Sequence, residues 1–287
     1  MSGKQRGILF AVSASFMFGL SPVFVRLTLD FVNVETMNVL FTAFASLCFV
    51  ALFAAFQRAH FRSILGNWRK VALMSLLSAA GSMLFTYGIS LYGPVNAAFL
   101  IQFTAVFTIL FGVAFFKERF TRLEAAGILL AVAGVFVLAY GDLSLEIVGT
   151  AVLLSAALLF ASANSLSKVY VEKVNPVALA GGNSMFMFLF IFAYAVLAGR
   201  LETAFPSVTL VYAVLGSVTG VVLSFILFFK ALKVFEVSKA ATIRTIEPFL
   251  TAIFSFAILA SAPTANQLLG GALIVVGVVV LSLTKAK

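Results

Sequence analysis

The chain has 287 residues, of which 63% are hydrophobic and 10% charged, with a formal net charge of +9 and a mean hydropathy of +1.16. A soluble domain carries about 25% charged residues, so this composition excludes an ordinary soluble enzyme and points to an integral membrane protein. The basic excess does not mark a nucleic-acid binder, because it sorts to one set of loops.

Helices of about 20 apolar residues cross the roughly 30 Å hydrocarbon layer. Ten such stretches follow one another: 5–27, 36–56, 71–92, 94–115, 123–140, 147–167, 177–198, 208–229, 237–259 and 265–284. The loops between them are short and leave no room for a soluble domain. The expected fold is an all-α integral membrane protein of ten transmembrane helices.

The first span opens with Lys4 and Arg6, as a signal peptide would. Its apolar run is long, contains Ser21-Pro22 and lacks a small-x-small cleavage site, so a retained helix is expected. Cys48 in the second span is the one cysteine; it has no intrachain partner and is expected to be a packing residue. Trp68 stands beside Arg69 and Lys70 before the third span, as an interfacial anchor does. The third span carries Ser75, Ser78 and Ser82 at helical spacing, with Thr86 and Tyr87 beyond, and the fourth carries Gln102. Gly127 and Gly134 in the fifth are two helical turns apart, as are Gly270 and Gly277 in the tenth. Each pair makes a smooth stripe for close packing, within the bundle or at a dimer contact. Ser155, Phe160, Ser162 and Asn164 lie in the sixth span, and Ser217, Gly220 and Ser224 in the eighth. The ninth holds Arg244, Glu247, Pro248 and Thr251 in the middle of an apolar run.

With the N-terminus in the cytoplasm, 16 of the 19 Lys and Arg fall on the cytoplasmic side. Only Arg26 and Arg200 fall outside, with Arg244 inside the membrane. This asymmetry obeys the positive-inside rule. It predicts an even number of spans, both termini cytoplasmic, in the cell membrane.

Shifted by about 142 residues, the chain lines up with itself. Gly7, Ser13, Ala14 and Phe18 fall on Gly149, Ser155, Ala156 and Phe160; Asn33 falls on Asn175, and Gln102 on Arg244. Residues 1–142 and 143–287 then form two repeats of five spans. Five is odd, so the second repeat enters the membrane from the opposite side. Inverted halves of this kind are typical of secondary transporters, with the substrate site at midplane between them.

Charge at membrane depth is costly unless it is paired or faces water. Arg244 and Glu247 stand three residues apart on one helical face, and Pro248 frees the carbonyl of Arg244. Two readings remain open. The pair binds an anionic or zwitterionic substrate, with Glu247 holding Arg244, taking an amine or exchanging a proton; or it locks helices together. Arg before Glu is the less favourable order for a local helical pair. Gln102 is expected to face the same cavity from the other half. Asn164, Ser82 and Tyr87 are further candidate substrate contacts, and Phe18 and Phe160, matched by the repeat, are candidate apolar walls.

The segments RGILFAVSASFMFGLSPVFVR (6–26), AAFLIQFTAVFTILFGVAFFKERFTRLEAAGILLAVAGVFVLA (97–139) and SKAATIRTIEPFLTAIFSFAILASAPTANQLLGGALIVVGVVVLS (238–282) carry a resemblance over nearly the full length. The chain resembles the EamA type of the drug/metabolite transporter superfamily. That pattern places an acid after the fourth span of a repeat and a Gly-rich fifth span. Glu118 with Gly127 and Gly134 fits it; in the second repeat LASAPTANQ replaces the acid. The resemblance implies a central cavity lined by spans one, three, four, six, eight and nine, and transport of small metabolites.

The expected function is secondary transport of a small amino acid-like zwitterion or organic anion by alternating access, with export the expected direction. Coupling to protons or a counter-substrate, and pairing into a homodimer, are left open. His60 is the only histidine, and no metal-ligand spacing or phosphate-cradling loop occurs, so no metal or cofactor is expected. The alternatives are a membrane enzyme acting on lipid-linked head groups, which needs converging acids or histidines, and a channel.

Overall fold

The structure is a computed structural model describing residues 3–56, 64–116, 121–138, 143–172, 174–234 and 243–284. His60, Glu118, the repeat boundary at 142, the first part of the ninth span and the C-terminus lie outside the described residues.

The described chain is helical. Its helices are α1 (Gly3–Leu29), α2 (Val34–Phe56), α3 (Trp68–Leu100), α4 (Phe103–Phe116), α5 (Arg122–Leu138), α6 (Leu143–Val171) and α7 (Pro176–Leu197). There follow α8 (Ser207–Gly216), a π-helical stretch (Ser217–Leu223) leading into α9 (Ser224–Val234), α10 (Glu247–Leu259) and α11 (Ala265–Thr284). Six continuous helical segments are long and apolar enough to cross a membrane: Gln5–Leu29, Val34–Ala55, Trp68–Leu100, Ile147–Val171, Pro176–Leu197 and Ser207–Val234. Shorter apolar helices accompany them. The molecule is a multi-pass helical membrane protein.

Local chemistry explains several boundaries. Asn175 caps α7, its side chain accepting from the Val177 N–H at 2.9 Å, and Pro176 follows at the first turn, where its missing N–H leaves nothing unsatisfied. The expected break between the third and fourth spans lies inside α3, where Gly93 has φ 79° ahead of Pro94. That left-handed conformation suits glycine, and helix resumes up to Leu100.

The expected fourth and ninth spans are discontinuous. Between α3 and α4, Thr104 N–H reaches Ile101 O and Ala105 N–H reaches Gln102 O, both at 3.0 Å. These shorter-ring bonds replace one turn of α-helix. In the ninth, Ile243 and Arg244 are helical, Thr245 and Ile246 form a turn, and α10 starts at Glu247 with Pro248 in its first turn. The proline thus ends one helix and starts another rather than bending a continuous one.

Packing follows a few close pairs. The glycine stripes join α5 to α11 within the chain. A Cβ on Gly134 would lie 2.6 Å from Gly270 O, and one on Gly277 2.5 Å from Gly127 O. α1 packs on α9 and α10, α3 on α6, and α2 on α7. Cys48 is exposed on the outward face of α2 rather than packed inside; Leu47 and Val50 beside it are exposed apolar residues, so inward and outward positions of this stretch look alike in sequence.

At the end of the bundle away from Trp68, Lys168 and Lys230, the α1–α2 and α7–α8 connections are tied together. Asn33 donates its side-chain amide to Arg200 O at 2.7 Å and its backbone N–H to Glu202 Oε2 at 3.0 Å. Glu202 N–H donates to Thr36 Oγ1 at 2.9 Å, and Arg200 pairs loosely with Glu35 at 3.8 Å. Below them lies a dense apolar core that includes Met37, Phe41, Phe85, Ile89 and Phe99.

Candidate functional site

A cavity of about 90 Å³ lies where the broken helices meet, room for on the order of six water molecules. Met74 and Ser78 come to it from the first half of α3, Asn164 and Ser167 from the last third of α6, and Asn183 from the first half of α7. It therefore sits in the half of the bundle nearer Trp68, Lys168 and Lys230.

Arg244 and Glu247 both line this cavity. Arg244 Nε donates to Glu247 Oε1, and Nη2 donates to Oε2 at 3.1 Å. This bidentate pair is the strong form of the interaction. The two side chains are unequally accessible: 21% of Arg244 is exposed against 4% of Glu247. The guanidinium carbon lies 4.6 Å from the Phe228 ring centroid and 5.1 Å from that of Phe18, so aromatic faces shield a charge that water would otherwise solvate.

The carbonyl that Pro248 frees finds a partner. Gln102 Nε2 donates to Arg244 O at 3.5 Å. Broken backbone is tolerated at membrane depth where it is buried in protein or lines a wet cavity, and here one break satisfies the other. α1 holds α10 in place: Thr251 Oγ1 donates to Gly19 O at 2.9 Å. A Cβ on Gly19 would approach Leu250 Cβ to 2.9 Å, so glycine permits this approach.

Phe18 and Phe160 also line the cavity, with Asn164. Phe85 lies between the two rings, 6.5 Å from Phe18 and 6.3 Å from Phe160. Phe85 belongs to the dense core, so these rings join the cavity wall to it.

Ser82 and Tyr87 stand outside it. Ser82 Oγ donates to Asn38 Oδ1 of α2 at 2.7 Å, a helix-to-helix bond. Tyr87 is 46% exposed. Asn183 and Phe228 are among the lining residues that escaped the sequence reading. Asn183 could have been found as a polar side chain deep in an apolar span; Phe228 is one of 33 phenylalanines and carries no such signal.

An apolar helical bundle with a paired charge lining an internal cavity defines a multi-pass membrane protein. The model of the EamA-like transporter family matches the chain twice, over residues 5–140 and 147–283, and the chain belongs to that family. An uncharacterized transporter of Methanothermobacter thermautotrophicus is 28% identical over 73% of this chain. Protein RarD of Salmonella typhi is 25% identical over 55% of it. The alignments span 63% and 55% of those relatives' own lengths. A solved crystal structure superposes with a TM-score of 0.70 at 17% identity, covering 97% of this chain and 96% of that one, which is a likeness of fold. The family's description and the name of the Methanothermobacter relative point to a transporter rather than an enzyme.

Proposed function

We propose that the protein is a secondary transporter that exports a small zwitterionic or anionic metabolite across the cell membrane by alternating access. In this reading ten spans form two inverted halves, 1–142 and 143–287. The observation that carries it is the Gln102–Arg244 bond, which joins two helix breaks 142 residues apart at one cavity. Discontinuous helices at corresponding positions of two halves are where transporters place their sites.

The packing supports the same reading. A shift of about 142 residues exchanges α1 against α9 with α6 against α3, and α1 against α10 with α6 against α4, and all four pairs are in contact. Two halves that can trade conformations open the cavity first to one side and then to the other. Here the tied connections and dense core close one end. The basic loops assign the cavity end to the cytoplasm, where a solute for export would load.

Arg244 is the proposed anion contact, supported by Gln102 through its carbonyl. Glu247 orients the guanidinium and is the one acid among the described lining residues for coupling to protons. Phe18 and Phe160 form the wall that parts when the halves rock. The glycine stripes are used between α5 and α11, so a homodimer would need another surface.

Counterflow in sealed proteoliposomes tests the proposal. Internal amino acid or organic acid should drive saturable uptake of the labelled solute, and Arg244→Ala should abolish it while folded protein remains. Ion conductance without counterflow would favour a channel. A chemically altered product would favour an enzyme.

A further inference from the structure

We infer that Asn183, not Glu247, receives the amine of the transported solute, so that the site takes a small carboxylate with an ammonium group close to it. This rests on the transport reading above and identifies its substrate class.

The inference comes from asking which polar groups in the cavity are already committed. Ser78 donates to Met74 O at 3.0 Å, Ser167 to Asn164 O at 2.7 Å, and Thr104 to Ile101 O at 2.7 Å. Thr108 and Ser224 likewise bond back to their own helices. Such hydroxyls serve the backbone first. Gln102 spends an amide hydrogen on Arg244 O, and Asn164, also in the lining, leaves no buried oxygen without a partner among the described residues.

Glu247 is committed as well. Each carboxylate oxygen accepts a guanidinium hydrogen bond from Arg244. A solute amine would have to displace the guanidinium from those oxygens. Arg244 differs. Glu247 takes Nε and Nη2, and the two rings take the faces. A guanidinium offers five N–H donors in one plane, so the Nη1 edge remains for a solute carboxylate.

Asn183 supplies the complementary group. It is 1% exposed, yet its Oδ1 has no partner among the described residues. Its Nδ2 makes only a contact of 3.4 Å to Met187 Sδ. Buried carbonyl oxygens are seldom left unpaired, and one that lines a cavity is accounted for by a ligand or water there. The oxygen is an acceptor and takes a donor from the solute. The cavity's own charges cancel, so a zwitterion adds no net charge to a low-dielectric interior, whereas a simple anion does. The phenylalanine faces around the site also suit a cation.

The test is calorimetric titration of the purified full chain in detergent with the common amino acids, each compared with its 2-hydroxy and unsubstituted carboxylic acid. The best amino acid should bind about tenfold more tightly than its unsubstituted acid. Asn183→Leu, close in volume, should bring the two to near parity. Asn183→Ser serves where the leucine variant does not fold, and melting curves accompany both. Preference for the amino acid that survives in either folded variant overturns the assignment of Asn183. Tighter binding of the hydroxy or unsubstituted acid by the wild type overturns the zwitterion assignment and leaves the transport reading standing. If none of these solutes binds and none exchanges in proteoliposomes, the transport reading fails with it.

Discussion

Breaking the Arg244–Glu247 pair from one side should cost far more than removing it whole. In Arg244→Ala the Glu247 carboxylate stays 4% exposed in the wild-type frame and loses both guanidinium bonds. Leaving a buried charge without its partner costs about 3–5 kcal/mol. The lost stacking between Phe18 and Phe228 adds about 1 kcal/mol per ring. For a chain of this size 1 kcal/mol corresponds to roughly 2 °C in melting temperature, so the variant should melt about 10–14 °C lower. Glu247→Gln keeps the shape and one acceptor and should lose less. The double variant Arg244→Met/Glu247→Leu removes both charges and should recover much of the loss, because apolar replacements of a buried pair are often neutral. The assay is a double-mutant cycle on melting in detergent, read beside counterflow per folded molecule. A coupling energy below about 0.5 kcal/mol, the level of independent sites, would refute the picture of a shielded, mutually dependent pair. Normal counterflow in both single variants would show that the pair only holds helices together.

Gly134→Ala and Gly277→Ala should each destabilise by about 1–3 kcal/mol, since the new Cβ would sit 2.6 and 2.5 Å from backbone oxygens of the facing helix; Gly66→Ala, with nothing within 4 Å, is the neutral control in the same melting assay. Asn33→Ala removes the amide that bonds Arg200 O and the acceptor for Thr36 N–H. In a Cys48→Ala background it should speed labelling of a cysteine at the buried Val32 by a membrane-impermeant maleimide, and an unchanged rate would count against the tie as a gate. Glu247→Gln should lose proton-driven net flux and keep solute exchange, and equal loss of both would remove Glu247 from coupling. Reporter fusions at residue 287 and near 142 should report cytoplasm and exterior respectively; an exterior signal at 287 would overturn the proposed topology.

Composition and spacing alone carried the membrane assignment and most helix limits. The second span, expected at 36–56, is Val34–Phe56, and the seventh, expected at 177–198, is Pro176–Leu197. These follow from local causes: apolar runs long enough to need every backbone group bonded within the helix, ended by Asn, Gly and Pro. Arg244, Glu247 and Gln102 were legible for the same reason, as polar groups that lipid would not accept. The freed carbonyl at Arg244 was legible too, but its partner was not.

Facing is where the sequence stops. In a soluble helix the apolar stripe marks the buried side; in lipid both sides are apolar, and packing decides between them. Hence Tyr87 and Cys48 turn outward, Ser82 serves Asn38 and Asn183 enters the cavity, none of which spacing could separate. The close α5–α11 contact and the meeting of the two helix breaks are likewise tertiary, since each joins residues more than a hundred positions apart. A chain whose helices form locally determines what spans the membrane, whereas the fit of one helix surface against another determines which of its polar groups reach a solute.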